Sequence, residues 1–397
     1  MGQVTDLDTF SALLAPEGQE LLAALRDHDP ADDLAAATRL RRSHPAPLVS
    51  AALGQARLRQ RAAAKFGADA QRMYFTPNGV EQSTRATVAT HRAARLAAQG
   101  IRTLADLCCG IGGDALALAR AGISVLAVDR DPLACAAARA NAEALGLAEL
   151  IEVRCADVTE VDTAGFDAVF VDPARRTKAR GGRIFDPEAY SPPLSWAVEA
   201  ARTAPCAALK IAPGVPHEAL PEDAETEWIS DGGDVKEAVV WFGRDAVPGG
   251  RRATLLPGGA TLLGAGLPDP EPGPVGRWLY EPDGAAIRAH LVAEVAEQVG
   301  GRLIDPTIAY ITGDELTRTP YANAYEITDV LPFNVKKLRA LLRERRVGIA
   351  EIKKRGSAVS PEELRKKLKL EGANSCTIIL TRVAGKPSML LGSPVRA

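Results

Sequence analysis

The stretch "TLADLCCGIGGDALALARAGISVLAVDRDPLACAAARANAEALGLAELIEVRCADV" (103–158) decides the fold class. Three short apolar runs, TLADL, SVLAV and LIEVRC, alternate with Ala/Leu-rich segments whose apolar residues recur every three to four positions. Strands alternating with helices predict a parallel sheet, because parallel neighbours need a crossover and the helix supplies it. "FDAVFVDP" (166–173) and "CAALKIAP" (206–213) continue the series, and "TEWISD" and "EAVVWFG" extend it. "RATLLPGGATLL" reads as a hairpin turning on Gly258 and Gly259.

On the N-terminal side, residues 1–100 read as helices only. "PEGQELLAALRD", "DDLAAATRLRR", "PLVSAALGQARLRQRAAAKF" and "VEQSTRATVATHRAARLAAQG" carry apolar positions at helical spacing, with turn signals such as "HDPAD" and "TPNG" between them. On the C-terminal side, the Pro/Gly-rich "GAGLPDPEPGPVG" (264–276) reads as a linker. Beyond it come strand-like "RLIDPTIAYITGD", "AYEITDVL" and "CTIILTRV". The helices there are "NVKKLRALLRERR" and "PEELRKKLKLEG", the second opening on a capping box, Ser360 to Glu363. The expected organisation is a helical region 1–100, an α/β domain 101–263, a linker 264–276 and an α+β domain 277–397.

Composition narrows the class. A chain of 397 residues with 46% hydrophobic and 25% charged content is that of a globular protein of more than one domain. The net charge of −2 conceals an asymmetry. Residues 277–397 hold twenty Lys/Arg against fourteen Asp/Glu, and Lys336–Lys369 alone holds thirteen against four. A polyanion would therefore meet the C-terminal third first. The six cysteines (108, 109, 135, 155, 206, 376) lack paired CxxC spacing, so reduced thiols are expected, with neither disulfide nor metal site. The N-terminus does not read as a signal peptide. No apolar run approaches the ~18–20 residues of a membrane span. A soluble cytoplasmic protein is expected, with no membrane partner.

The chemistry concentrates at predicted strand ends. In "DLCCGIGGD", Gly110 and Gly112 permit a tight turn and close backbone approach, and the following helix offers free N–H groups. Gly110-x-Gly112-x-x-Ala115 with Asp129 also satisfies a dinucleotide fingerprint. Asp106 and Asp157 have no evident partner on a pyrophosphate, however. Four acids (106, 129, 157, 172) beside one glycine turn suit a cationic, amine-bearing nucleoside. S-adenosylmethionine meets that description, with ammonium at Asp106, ribose at Asp129, adenine at Asp157 and the methyl aimed at Asp172.

The run from 106 to 158, with Cys-Gly-x-Gly-Gly, then Asp-x-Asp-Pro, then Ala-Arg-x-Asn-Ala-Glu, resembles class I S-adenosylmethionine-dependent methyltransferases. In particular it is similar to RNA guanine-N2 methyltransferases of the trimethylguanosine-synthase type, over roughly residues 60–245. The C-terminal "PFNVKKLRALLRERRVGIAEIKKRG" and "LRKKLKLEGANSCTIILTR" resemble a THUMP-like domain. The resemblance implies a Rossmann-like methyltransferase sheet, S-adenosylmethionine as cofactor and an RNA partner such as tRNA or rRNA. It places cofactor contacts at Thr76, Asp106, Cys108, Gly110, Gly112, Asp129, Arg130, Asp157 and Val158, with Pro77 beside Thr76.

One motif departs from the family. Exocyclic-amine methyltransferases end the fourth strand on Asp, Asn or Ser, then Pro-Pro-aromatic. The carboxylate and the following carbonyl hold the amine's lone pair toward the methyl, and the ring stacks on the base. Here Asp172 and Pro173 match, but Ala174 and Arg175 replace Pro and the aromatic. Asp172, Pro173 and Arg175 are the catalytic candidates. Arg175 can stack on the base, or bind phosphate while Phe185 or Tyr190 supplies the ring. Alternatively the site serves a different reaction: Asp-Pro-Pro-Arg resembles RNA 5-methyluridine methyltransferases, but Cys206 precedes its strand, on the wrong side for their nucleophile. Lys210, in "LKIAPG", is a site residue or a snorkelling surface lysine. Arg175–Arg183 places five cations in nine residues, so Arg176 and Arg180 are RNA-binding candidates. Lys353, Lys354 and Arg355 in "EIKKRG" read as a phosphate-gripping loop. Two rivals stand beside RNA methylation: a small-molecule methyltransferase, and an inactive RNA-binding module that keeps the cofactor fold.

Overall fold

A computed structural model describes residues 6–174 and 187–395. The chain divides into two compact units: residues 1–225 with 239–249, and residues 226–238 with 250–397. This division falls within and beside one strand rather than at the expected linker. The segment 264–276 packs on the second unit, with Ala265 N–H donating to Glu294 (2.9 Å) and Gly273 N–H to Leu303 O (2.8 Å).

The first unit opens with helices α1 (Asp6–Leu14), α2 (Pro16–Ala24), α3 (Asp33–Leu40), α4 (Ala46–Phe66), α5 (Pro77–Gln82) and α6 (Ala86–Ala98). The long α4 buries Val49, Ala52, Leu53, Ala56, Ala62 and Phe66 on one stripe and ends at Gly67, whose φ of +56° suits glycine. The single helix expected over 80–100 is two, because the chain turns at Ser83–Arg85 between α5 and α6.

The sheet follows: β1 (Thr103–Leu107), α7 (Gly113–Arg120), β2 (Ser124–Asp129), α8 (Pro132–Ala144), β3 (Ile151–Cys155), β4 (Ala168–Val171), α9 (Leu194–Thr203) and β5 (Cys206–Ile211). The strands lie in the order β3-β2-β1-β4-β5 and every pair is parallel. β4 and β5 are buried throughout, so they read as unbroken apolar runs, as strands covered on both faces must. α8 starts on Pro132 behind Asp131, whose carboxylate accepts from Leu133 N–H at 3.0 Å. The connection reverses between β1 and β4, and at such a reversal the crevice beyond the strand carboxyl ends receives ligands.

β6 (Glu225–Asp231) and β7 (Asp234–Gly243) follow; Val239–Gly243 of β7 belongs to the first unit, and residues 226–238 open the second. β8 (Arg251–Leu256) runs parallel to β6 and forms the expected hairpin with β9 (Ala260–Leu263). Then come β10 (Trp278–Pro282), α10 (Gly284–Arg288), α11 (Val292–Val299), β11 (Arg302–Asp305), β12 (Ile308–Gly313), β13 (Ala322–Pro332), α12 (Val335–Glu344), β14 (Val347–Lys354), α13 (Pro361–Leu368), β15 (Asn374–Val383) and β16 (Lys386–Pro394). Seven of these strands form one sheet, ordered β11-β12-β10-β13-β16-β15-β14. Alternation along β15 divides its core: Ile378 and Leu380 face Leu338 and Leu342 of α12 and Leu364 and Leu368 of α13, while Ile379 joins Tyr310 and Tyr325.

Candidate active site

The glycine turn after β1 is made by backbone geometry. Cys108, Gly110 and Gly112 all have positive φ (70°, 55° and 83°), and the N–H groups of Cys108 and Cys109 both donate to Val128 O at 2.9 Å. The two glycines do different work. A Cβ on Gly112 would lie 3.3 Å from Ala138 Cβ, so this glycine lets α7 approach α8; a Cβ on Gly110 would meet nothing within 4 Å, which leaves space against the backbone. Burial and the carboxylates of Asp129 and Asp172 push the Cys108 thiol up, so it serves as packing rather than as a nucleophile.

Four acids line the strand ends in the lateral order β3, β2, β1, β4. Asp157, just past β3, is exposed and accepts from Thr159 N–H (3.0 Å) and Oγ1 (2.8 Å); these bonds hold its carboxyl below the usual range. Asp129 closes β2, taking Gly110 N–H on Oδ2 and Asp131 N–H on Oδ1, both at 2.9 Å. Asp172 is the first residue beyond β4, and its N–H donates to Leu107 O at 3.1 Å. At ~4.8 Å per strand, β3 to β4 spans about 14 Å, room for an extended nucleoside with an amino-acid tail.

Asp106 differs from the other three. It is fully buried on β1, and among the described residues neither carboxylate oxygen has a hydrogen-bond partner. Burial raises its pKa well above the usual carboxylate range, and Asp114 and Asp172 add to the effect. A buried acceptor left unpaired in this way costs free energy until a donor arrives.

A buried ionic chain reaches the same crevice, and the sequence had pointed to little of it. Arg92 of α6 pairs with Asp114 of α7 and lies over the Phe170 ring at 4.7 Å. Although burial opposes it, Arg92, Lys210 and Thr84 together hold the Asp114 carboxyl low. Thr84 Oγ1 donates to Asp114 Oδ2 (3.0 Å) and accepts from Lys210 Nζ (2.8 Å), and Lys210 also donates to Asp172 Oδ2 at 2.6 Å. Lys210 is 4% exposed, which excludes the snorkelling reading. Asn141, within the Ala-Arg-x-Asn motif, is fully buried: its Nδ2 donates to Tyr74 O (3.1 Å) and Ile111 O (2.9 Å), and its Oδ1 accepts from Tyr74 N–H (2.6 Å). This one side chain ties the N-terminal segment to the glycine turn.

Other expected residues are placed as follows. Thr76 caps α5, accepting from Gly79 N–H at 2.9 Å, and Gly79 packs on Ile111 of the glycine turn, which brings Thr76 and Pro77 to the β1 end of the crevice. Arg130 is exposed and Val158 buried. Pro173 and Ala174 leave β4, and Ala174 pairs with Ser191 through two backbone bonds of 2.9 and 3.0 Å. Tyr190 is 4% exposed, so it does not present its ring as a free platform. Arg175, Arg176, Arg180 and Phe185 lie outside the described residues.

In the second unit the "EIKKRG" segment is not a free loop. Lys353 and Lys354 end β14; Lys353 donates to Glu281 at 2.7 Å and Arg355 sits 3.6 Å from it. The cationic ends of Lys353 and Arg355 lie over Tyr325 and Tyr310. Only Lys354 of the three is exposed. The outward cations sit instead on the neighbouring helices, where Arg339 and Arg343 of α12 and Lys369 line a cleft, with Lys366 and Lys367 exposed on α13.

Comparison with known proteins agrees with this geometry. Family models match at residues 104–176 (methyltransferase domain), 322–394 (THUMP domain-like) and 6–62 (a domain of unknown function). Proteins described as uncharacterized S-adenosylmethionine-dependent methyltransferases, from two strains of Mycobacterium tuberculosis, are 36% identical over 337 residues, 82% of this chain and 90% of theirs. A crystal structure of a putative methyltransferase from Porphyromonas gingivalis W83 superimposes with a TM-score of 0.77 at 23% identity, covering 95% of this chain and 99% of that one. The chain belongs to the S-adenosylmethionine-dependent methyltransferases, and it carries a C-terminal THUMP-like domain. The residues present are compatible with that cofactor: the clear space at Gly110 admits close backbone approach, and Asp106, buried and without a hydrogen-bond partner among the described residues, could accept from an ammonium. No helix among the described residues is long and apolar enough to cross a membrane.

Proposed function

We propose that the protein methylates an exocyclic base amine in RNA, guanine N2 being the target the family resemblance favours. Asp172 carries the reading. It leads the chain out of β4 toward the crevice, and among the described residues only its Oδ2 is taken, by Lys210, which leaves Oδ1 to an incoming N–H donor. An aniline-like NH₂ is a weak nucleophile because its lone pair delocalises into the ring. A carboxylate that accepts one N–H, with the Pro173 carbonyl accepting the other, turns that lone pair toward the cofactor. S-adenosylmethionine, when bound, supplies the electrophilic methyl. Asp157, Asp129 and Asp106 hold adenine, ribose and ammonium in turn, and Thr76, Cys108, Gly110, Gly112, Arg130 and Val158 form the walls.

The RNA follows two sets of cations. Arg175, Arg176 and Arg180 stand next in the chain after Asp172, where a substrate's phosphates would run. In the THUMP-like domain, the cations Arg339, Arg343 and Lys369, gathered around a small cleft that Glu371 also lines, and the exposed Lys354 are the candidates for phosphate contact. The deciding experiment compares methylated nucleosides, by mass spectrometry, in total RNA from wild-type and gene-deletion strains, with complementation by the wild-type gene and by Asp172→Asn. One N2-methylated guanosine should vanish on deletion and return only with the wild-type gene. Full restoration by Asp172→Asn refutes the amine-acceptor mechanism.

A further inference from the structure

The ionic chain behind Asp172 carries an inference that rests on the reading of Asp172 as amine acceptor. We propose that Lys210 is a positioning residue for methyl transfer, anchored by Thr84 and Asp114, which occupies Oδ2 of Asp172 and so aims Oδ1 at the acceptor amine.

The chain has a fixed direction. Arg92 pairs with Asp114, Asp114 accepts from Thr84, Thr84 accepts from Lys210, and Lys210 donates to Asp172. A hydroxyl has one proton to give, so with Thr84 committed to Asp114 its lone pair must meet a donor, which Lys210 supplies. Two of the three ammonium protons are thus assigned, at 2.8 and 2.6 Å, and the Lys210 side chain is pinned at both bonds. Thr84 is itself held: Lys65 of α4 donates to the carbonyls of Glu81 and Ser83, both at 2.7 Å, just before it. Burial, then the nearby charges of Lys210 and Arg85, brings the Lys65 ammonium down to about 8.

Stability alone gives no reason for this arrangement. A buried ion pair costs desolvation, and packed apolar residues in its place are often as stable or more so. What the pair does supply is a single orientation for a carboxylate that is a fifth exposed and would otherwise rotate about its own χ angles. An acceptor oxygen misplaced by about 1 Å can cost on the order of 100-fold in rate.

The test measures single-turnover methyl transfer from labelled S-adenosylmethionine to total RNA of the deletion strain, for Lys210→Met, Asp172→Asn and the double variant. Lys210→Met should lose about 10- to 100-fold in rate, while calorimetric affinity for S-adenosylhomocysteine stays within about threefold, under 1 kcal/mol. The double variant should be no slower than Asp172→Asn, because Lys210 acts only through that carboxylate. A spectroscopic readout needs no turnover: the ¹⁵N signal of the Lys210 ammonium should be protected from exchange in the wild type and lose protection in both Asp172→Asn and Thr84→Val. Wild-type rate in Lys210→Met overturns the proposal, as does a double variant that loses the product of the two single factors, or an ammonium signal indifferent to Asp172→Asn. If Asp172→Asn is itself fully active, the amine-acceptor reading falls too. If Asp172→Asn is inactive and Lys210→Met is not, the role of Lys210 alone falls.

Discussion

Replacing Asp106 by Asn tests the cofactor reading at its least ambiguous residue. The wild-type carboxyl is fully buried with both oxygens unpartnered, and burial with Asp114 and Asp172 nearby raises its pKa well above the usual range. The raised pKa favours the neutral acid without ligand, and an ammonium opposite it favours the ionised form, so cofactor binding should be accompanied by proton release. Losing a hydrogen bond between charged groups costs about 1.5–3 kcal/mol, which is roughly 10- to 150-fold in affinity. Calorimetry with S-adenosylhomocysteine near pH 7, in two buffers of different ionisation enthalpy, reads both quantities at once. The variant should bind that much more weakly and release no proton. Ligand-free stability moves the other way. A raised acid pKa means the folded state holds the proton longer than the unfolded chain, so wild-type stability falls as pH rises from the unfolded value toward the folded one. The Asp106→Asn substitution removes that dependence, and the melting advantage of the variant should grow from acid toward neutral pH. Equal affinity in the two proteins, with no proton released by either, refutes the assignment of ammonium to Asp106.

Further outcomes are expected elsewhere. Asp129→Ala should weaken S-adenosylhomocysteine by roughly 1–3 kcal/mol in the same titration, since it removes both the proposed ribose acceptor and the bond that shapes Gly110. Asn141→Ala deletes three buried hydrogen bonds and should lower denaturation stability by about 1–3 kcal/mol while also weakening the cofactor, because Ile111 loses its tether. Converting Arg339, Arg343 and Lys369 to Ala should flatten the slope of log affinity for RNA against log salt by about two, at ~0.7 per single-stranded phosphate contact. The Lys353→Ala and Arg355→Ala pair should instead lower stability with little change in that slope, since both cations are engaged with Glu281.

The legible parts of this protein were those written in short, periodic stretches. The alternation around 103–158 forecast every strand and helix there, and spacing alone put Asp106, Asp129, Asp157 and Asp172 near strand ends. What escaped was set by distance along the chain. The Lys210 chain joins residues 84, 92, 114, 172 and 210, and no local pattern marks a threonine between two helices as a relay. Lys353 and Arg355 show the same limit: their run of cations reads as a phosphate-gripping loop, and only the fold brings Glu281, over seventy positions away, against both. The division between the units eluded the Pro/Gly signal because composition marks where a chain can turn, and hydrogen bonding decides what it then packs against.

The helices before the sheet are best understood as part of the site. Arg92, Thr84, Lys65 and Thr76 come from α4, α6 and the α5 segment; without Arg92 the buried Asp114 would lose its ion-pair partner, and without Thr84 Lys210 would keep only its bond to Asp172. Counting the ionisable groups where β1, β4 and α7 converge gives Asp106, Asp114 and Asp172 against Arg92 and Lys210. One carboxyl is in excess, and it is the one with no partner. A protein interior does not keep such an excess ionised; it takes up a proton, as Asp106 does, or it takes up a cation. The crevice is therefore balanced either by a proton on Asp106 or by a positively charged group that enters beside β1. This electrostatic requirement favours an amino-acid-bearing nucleoside over a dinucleotide phosphate, and the glycine turn common to both cofactor classes does not make that choice.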